Sequence, residues 1–170
     1  MSLLIPDYVF DSIYEITPAL LAASGVRGVL FDLDGTIASH KAALPPEALA
    51  PFFRTLTDAG YPVLVFSNNR DRRVAPFCRA LDIPFISRAG KPLQRGFRRA
   101  AAQLGLEPRQ LAIVGDQIFT DVFGGNRAGA TTCYVQTLDR RYFWVNFRYQ
   151  FERGFISRGQ KRMKARGGHE

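Results

Sequence analysis

Short apolar segments alternate with amphipathic helical segments along this 170-residue chain, and this alternation restricts the fold more than any other sequence feature. The apolar segments are rich in β-branched and aromatic residues and carry no alternating polar face. Strands of this kind are typical of a parallel sheet that helices cover on both sides. We therefore predict an α/β fold with a mainly parallel sheet of about five strands. The predicted strands are residues 27–33, 62–66, 84–86, 111–114 and 131–136.

Helical patterns are predicted at both ends of the domain. Residues 7–23 have the pattern of two consecutive helical pieces, and residues 140–156 have that of a final helix with interleaved aromatic and basic residues. The stretch after this helix is polar and contains glycine, which is typical of disorder. We therefore expect one domain over residues 1–157 and a basic, disordered tail over residues 158–170.

Positive charge is concentrated at the end of the chain. The net charge is +8, but residues 140–170 hold nine Lys and Arg against two Asp and Glu. The preceding residues hold 14 basic and 13 acidic side chains and are nearly neutral. The basic character therefore belongs to the final segment and needs an explanation separate from that of the main domain.

The cysteines and the N-terminus indicate a compartment. Cys78 and Cys133 are far apart and lie in apolar stretches, so we expect two small buried side chains rather than a disulfide or zinc ligands. Free cysteines fit a reducing compartment. The first ten residues lack the basic start of a signal peptide, and no apolar run is long enough for a membrane span. These features predict a cytoplasmic protein.

Polar residues lie at the ends of four predicted strands. Asp32 and Asp34 end the first strand, Ser67 follows the second, Lys91 lies shortly after the third, and Asp116 follows the fourth. Taken singly, such residues are common as helix caps, turn residues or solvated surface groups. Because the carboxyl ends of parallel strands meet along one edge of a sheet, we expect them to form one site. Asn68 lies next to Ser67, and four other neighbouring positions are expected to have supporting roles: Gly35, Thr36, Asn69 and Asp121.

The chemistry that this set indicates is phosphoryl transfer. Two carboxylates from different strand ends, Asp32 and Asp116, can hold Mg²⁺, a hard cation that prefers oxygen ligands. An Asp carboxylate can attack phosphorus, and the nearby Asp34 can protonate the leaving oxygen and later activate water. Ser67 and the backbone amides that follow it begin a helix and can cradle a phosphate. Lys91 can neutralise the charge that develops on the phosphoryl oxygens.

These residues resemble the four motifs of haloacid dehalogenase (HAD) superfamily phosphatases. The stretch Asp-Leu-Asp-Gly-Thr-Ile at residues 32–37 is similar to the first motif, and Ser67 is similar to the second. Lys91 matches the third motif, and residues 115–121 match the fourth. The resemblance covers about residues 5–155 and implies a Rossmann-like three-layer α/β/α sandwich.

The resemblance also implies roles for individual residues. Asp32 would be the nucleophile and Asp34 the acid and base, while Ser67, Asn68 and Lys91 would bind the substrate phosphate. Mg²⁺ would be bound by Asp32, the backbone carbonyl of Asp34, and Asp116, with Asp121 in a supporting role. Flanking segments are similar to the YqeG-type subclass IIIA, which is related to the phosphatidylglycerophosphate phosphatases. The segments that carry this narrower resemblance are residues 16–18, 66–69, 83–86, 90–92 and 115–127.

The spacing of the motifs leaves no room for a cap domain. Only 32 residues separate Asp34 from Ser67, and 23 separate Ser67 from Lys91. An uncapped site is open and suits a phosphate attached to something large, such as a lipid headgroup at a membrane, a phosphoprotein or a nucleic-acid end. Together with the resemblance to the phosphatidylglycerophosphate phosphatases, this implies phosphatidylglycerophosphate at the cytosolic face of a membrane as the expected substrate. Nucleic-acid termini, phosphoproteins and soluble phosphate esters remain as alternatives. A non-catalytic interaction module is the alternative of another class, although such a module would not need the complete set of site residues.

An aromatic and basic pattern marks the final helix. Phe143, Phe147, Phe151 and Phe155 recur every four residues, with arginines between them. This stripe either packs on the domain's own core or lies on an anionic membrane surface, where each basic residue contributes roughly 1 kcal/mol. The sequence has no stacking platform or groove-reading motif, which argues against a nucleic-acid partner. Nothing in it indicates an oligomeric state.

Overall fold

One sheet of six parallel strands organises the computed structural model, which describes residues 2–139 and 143–167. The spatial order of the strands is β1-β6-β5-β2-β3-β4, and each neighbouring pair is parallel. The strands are β1 (Tyr8–Phe10), β2 (Gly28–Phe31), β3 (Val63–Phe66), β4 (Phe85–Ile86), β5 (Leu111–Gly115) and β6 (Thr131–Val135). The predicted parallel α/β fold is confirmed.

Helices cover both faces of the sheet. They are α1 (Pro18–Ala23), α2 (Leu49–Asp58), α3 (Asp71–Leu81), α4 (Gln94–Gln103), α5 (Phe123–Ala128) and α6 (Phe143–Gly167). Side chains alternate between the faces along each strand: Val29 and Phe31 of β2 pack with α2 and α3, whereas Leu30 packs with α4. Because both faces are buried, the strands are apolar throughout, as the sequence pattern indicated.

The expected absence of a cap domain is confirmed by the connections. Between Asp34 and Ser67 the structure has one helix, α2, and between Ser67 and Lys91 it has α3 and the two-residue strand β4. The carboxyl edge of the sheet is therefore not covered by an inserted domain in either interval.

The predicted helical segment over residues 7–23 is wrong in its first part. Tyr8–Phe10 form β1, an edge strand whose register pairs Tyr8 with Cys133 of β6. These three residues are aromatic or β-branched, and their partner strand lies more than 120 residues further along the chain. A local helical pattern cannot show such a partner, so the sheet has six strands rather than about five.

The expected disorder of residues 158–170 is wrong for most of that range, because α6 continues to Gly167. This part of the helix packs on the N-terminal segment. A Cβ on Gly159 would lie 2.6 Å from Pro6 Cγ, and Arg162 Nη2 lies 3.1 Å from Asp7 Oδ1. Composition alone conceals these tertiary contacts. The predicted helix start at residues 140–142 and the last three residues of the tail lie outside the described residues.

Two further sequence-based expectations concern cysteines and membrane spans. Cys78 and Cys133 are both free and buried, as predicted. In the part of the chain that the structure describes, no helix is long and apolar enough to cross a membrane.

Candidate active site

The predicted site residues meet at the carboxyl edge of the sheet. Asp32 follows β2, Ser67 follows β3, Lys91 lies beyond β4, and Asp116 follows β5; all four are buried. Asp32, Ser67 and Lys91 border a cleft of about 210 Å³, a size that suits a phosphate group rather than a large ligand. The cleft is lined by Asp32, Asp34, His40, Ser67, Asn68, Asn69, Lys91, Gln117 and Thr120.

Lys91 is the central cation of the cleft. Its Nζ donates to Asp32 Oδ1 and to Asp121 Oδ1, each at 2.6 Å. Burial alone would lower the pKa of Lys91, but the two carboxylates outweigh burial and raise it above its usual range. Burial also raises the pKa of Asp121 to about 7, although Lys91 opposes this rise. Lys91 therefore keeps its positive charge between the carboxyl groups of Asp32 and Asp121.

Three buried carboxylates form a cluster beside this lysine. One oxygen each from Asp32, Asp116 and Asp121 lies within 4.8 Å of the others. Burial raises the pKa of Asp116, and Asp116 Oδ1 has no hydrogen-bond partner among the described residues. An unpaired, buried carboxylate oxygen beside two further carboxylates is an unfavourable arrangement unless a cation compensates it. A divalent cation with oxygen ligands fits this cluster.

Two glycines permit the carboxylates to approach the backbone closely. Gly35 has a φ of +89°, and a Cβ there would lie 2.6 Å from Asp116 Oδ2. A Cβ on Gly115 would lie 2.3 Å from Asp121 Cγ. Any larger residue at these positions would displace a carboxylate of the cluster.

Asp34 is held apart from the cluster by Arg73, which the sequence patterns did not assign to the site, and by Asn69, which they did. Arg73, in the first turn of α3, donates to Asp34 Oδ1 from Nε at 3.0 Å and from Nη2 at 2.7 Å. Asn69 Nδ2 donates to Asp34 Oδ2 at 2.6 Å. The side chain of Asp34 is thus fixed in the cleft while its carboxylate stays outside the three-carboxylate cluster.

The loop after β3 supplies the Ser67 hydroxyl and the Asn68 amide, which holds the backbone of Lys91. Ser67 Oγ accepts from the backbone N–H of Asn69 at 3.1 Å, which leaves the hydroxyl hydrogen available to another acceptor. The Asn68 amide accepts from the backbone N–H of Lys91 at 2.8 Å and donates to its carbonyl at 3.0 Å. The side chain of Asn68 therefore holds the loop that presents Lys91.

Thr36 Oγ1 is buried without a hydrogen-bond partner among the described residues.

His40 also lines the cleft, and its partner lies far along the chain. Its ring Nδ1 contacts Asp139, which also accepts from Ser39 Oγ at 2.6 Å and from the His40 backbone N–H at 2.9 Å. Burial would raise the pKa of Asp139, but the hydrogen bonds from Ser39 and His40 lower it. Because His40 and Asp139 lie 99 positions apart in the chain, no local motif could reveal the pair.

Helix α6 contacts the site and also exposes an aromatic surface. On its inner side, Arg148 Nη2 donates to Asp116 Oδ2 at 2.8 Å. On its outer side, the exposed fractions of Phe143, Phe147 and Phe151 are 84%, 60% and 61%. The stripe therefore does not pack on the domain's own core, apart from Phe155, whose ring packs against Phe119.

Comparisons with known proteins agree with this geometry. A family model described as haloacid dehalogenase-like hydrolase matches residues 37–129. The chain is 36% identical over 154 residues to the Bacillus subtilis (strain 168) protein named probable phosphatase YqeG, and the match covers 90% of each chain. It is 30% identical over 146 residues to phosphatidylglycerophosphate phosphatase 1 of Chlamydomonas reinhardtii. That match covers 81% of this chain and 54% of the algal protein.

Solved structures share the fold. The cobalt-bound deoxy-D-mannose-octulosonate 8-phosphate phosphatase of Haemophilus influenzae matches with a TM-score of 0.53 and 16% identity, over 83% of this chain and 91% of that chain. D,D-heptose 1,7-bisphosphate phosphatase of B. bronchiseptica, with magnesium and phosphate, matches with a TM-score of 0.53 and 18% identity. This second match covers 71% of this chain and 87% of that chain. At these identities the likeness concerns the fold alone.

Proposed function

Because this chain belongs to the haloacid dehalogenase-like hydrolases and is a phosphatase of that family, we propose that it is a Mg²⁺-dependent phosphomonoesterase with Asp32 as its nucleophile. The observation that carries this proposal is the buried pair of Lys91 and Asp32, with 2.6 Å between Nζ and Oδ1, beside two further buried carboxylates. An ammonium so placed can contact both the nucleophile and a phosphoryl group that approaches it.

The residues of the cleft divide the reaction between them. A carboxylate oxygen of Asp32 attacks phosphorus, and the bond from phosphorus to the leaving oxygen breaks as Asp34 donates a proton to that oxygen. A water molecule then attacks the aspartyl-phosphate and gives its proton to Asp34. Inorganic phosphate leaves and the Asp32 carboxylate is restored. Throughout, Lys91 and the Ser67 hydroxyl donate to the phosphoryl oxygens.

The cation would be held by the residues that the motifs indicate. Asp32, the backbone carbonyl of Asp34, and Asp116 would bind Mg²⁺, which when bound neutralises negative charge between the nucleophile and the phosphate. Asp121 supports the site because its Oδ1 accepts from Lys91 and its Oδ2 accepts from the Gln117 backbone N–H at 3.3 Å.

We further propose phosphatidylglycerophosphate as the substrate, at the cytosolic face of a membrane. The names of two relatives, from Chlamydomonas reinhardtii and Arabidopsis thaliana, state this activity for those proteins. The uncapped cleft leaves space for a phosphate that is attached to a large body. The exposed phenylalanines of α6 and the net positive charge of residues 140–170 support contact with an anionic lipid surface.

The nucleophile is tested with Asp32→Asn and a matched control. The full chain is assayed for phosphate release from a generic phosphomonoester with Mg²⁺ present. Asp32→Asn should lose turnover while circular dichroism shows a retained fold. Asp58→Asn, an exposed aspartate at the end of α2 that does not line the cleft, should keep wild-type turnover. Full activity in Asp32→Asn would refute the covalent mechanism.

The substrate is tested by comparing phosphate esters in one assay. Phosphatidylglycerophosphate in anionic vesicles is compared with matched soluble esters, a 5′-phosphorylated oligonucleotide and a phosphopeptide. We expect the largest kcat/KM for phosphatidylglycerophosphate. Equal or better turnover of any other ester would remove the lipid assignment but leave the phosphatase mechanism standing.

A further inference from the structure

Helix α6 touches the loop after β5 through two side chains one turn apart. Arg148 contacts Asp116, and Glu152 contacts the π-helical turn Ile118–Val122 that follows it. Asp116 and Glu152 are each 1% exposed, so these contacts lie inside the molecule. They join a helix near the end of the chain to the loop that supplies a carboxylate of the cluster.

Arg148 holds two oxygens of the same aspartate. Its Nη2 donates to Asp116 Oδ2 at 2.8 Å and to the Asp116 backbone carbonyl at 3.3 Å. The other carboxylate oxygen, Asp116 Oδ1, has no hydrogen-bond partner among the described residues. One oxygen is thus fixed by a charge-assisted hydrogen bond while the other is left for the cluster.

Glu152 contacts both the turn after Asp116 and Arg148 itself. Its Oε1 accepts from the backbone N–H of Ile118 at 2.9 Å, and its Oε2 lies 3.4 Å from Arg148 Nε. If Arg148 served only as an ion-pair partner of Glu152 within the helix, its shortest contact would be with Glu152. Instead the shortest contact of Arg148 is with Asp116, so the guanidinium is directed at the site.

We propose that Arg148 is a positioning residue that orients Asp116 for cation binding, with Glu152 fixing Arg148 and the loop. The inference rests on the proposed function, because it requires that Asp116 binds a divalent cation. Arg148 does not touch substrate in this proposal; it acts through Asp116. Groups that orient a metal ligand in this way contribute about 10- to 100-fold to metal affinity or activity.

Charge and orientation make opposite predictions for Arg148, which allows a decisive test. A positive side chain near a cation repels it, so loss of Arg148 should tighten Mg²⁺ binding if charge were its only effect. If Arg148 orients Asp116, its loss should weaken Mg²⁺ binding about tenfold or more. Arg148→Lys keeps the charge but lacks the fork of donors, and should recover only part of the affinity.

The experiment measures Mg²⁺ binding to the full chain by isothermal titration calorimetry, with MgCl₂ as the only ligand. The variants are Arg148→Met, Arg148→Lys and the matched control Arg158→Gln, an exposed arginine of the same helix. We expect weaker binding in Arg148→Met, intermediate binding in Arg148→Lys and unchanged binding in the control. Unchanged or tighter binding in a folded Arg148→Met protein overturns the proposal.

A second variant keeps the test valid if Arg148→Met alone does not fold. Arg148→Met leaves the buried Glu152 without its cation, so Arg148→Met/Glu152→Gln is measured in parallel and should also bind Mg²⁺ weakly. Failure of the proposed function gives a different result: the wild-type chain itself would bind no Mg²⁺. If the wild type binds Mg²⁺ and both variants bind it equally well, only the positioning role is lost.

Discussion

Replacement of Lys91 by methionine should destabilise the fold as well as abolish catalysis. The Lys91 side chain is 2% exposed, and its Nζ contacts Asp32 and Asp121 at 2.6 Å each. Methionine fills a similar volume but cannot donate, so two buried carboxylates would lose their common cation. This change isolates the charge of Lys91 from the packing of its stem.

The magnitude follows from these contacts. Removing one partner of a buried ion pair costs about 3–5 kcal/mol of the free energy of unfolding, because the remaining charge is uncompensated. Two hydrogen bonds to charged groups, at about 1.5–3 kcal/mol each, give a loss of the same order. The additional variant Lys91→Met/Asp121→Asn removes one of the unpaired charges and should recover about 1–3 kcal/mol.

Urea denaturation of the full chain, followed by circular dichroism, measures these free energies. Lys161→Met, an exposed lysine of α6, is the matched control and should stay within about 0.5 kcal/mol of the wild type. Phosphate release should fall about 100- to 1000-fold in Lys91→Met and stay unchanged in the control. If the free energy of unfolding of Lys91→Met lies within about 1 kcal/mol of the wild-type value, Asp32 and Asp121 do not depend on the charge of Lys91 in the way that the structure indicates.

Four further measurements test other parts of the site. Arg73→Met should lower kcat about 100-fold or more in phosphate-release assays, because Asp34 loses both guanidinium hydrogen bonds to its Oδ1; unchanged kcat would contradict this role. His40→Ala should raise KM about fivefold with a smaller effect on kcat, and an unchanged KM would place the ring outside the substrate's reach. Phe147→Ser/Phe151→Ser should weaken the affinity for anionic vesicles, measured by sedimentation, about 100-fold while turnover of a soluble ester persists. Equal sedimentation of the variant and the wild type would show that the aromatic surface does not bind the vesicles. Mg²⁺ at 100 times its dissociation constant should raise the free energy of unfolding by about 2.7 kcal/mol in urea titrations, and EDTA should reverse the gain.

The parts of the site that were predictable share one physical cause. The carboxyl ends of parallel strands meet at one edge, so residues directly after apolar runs are brought together whatever the connecting loops do. Asp32, Ser67, Lys91 and Asp116 were found in this way. The short spacings between them also limited what the connections could contain, and the structure has one helix in each of the first two intervals.

The parts that were missed depend on contacts between distant residues. Arg148 meets Asp116 across 32 positions, and His40 meets Asp139 across 99. Neither pair has a local pattern, and arginines on an aromatic helix have the same sequence signature whether they face solvent or a buried carboxylate. The strand β1 was missed for the same reason, because its three residues become a strand only beside a partner at the other end of the chain.

Helix α6 carries its exposed aromatic surface and its contacts with the site on adjacent residues. Phe147, exposed to solvent, precedes Arg148, and Phe151, also exposed, precedes Glu152. A helix is rigid over such short distances, so any tilt of α6 that displaces the two phenylalanines also displaces the Arg148 guanidinium that contacts Asp116. The position of the exposed aromatic surface and the position of the Asp116 carboxylate are therefore coupled through a single turn of α6.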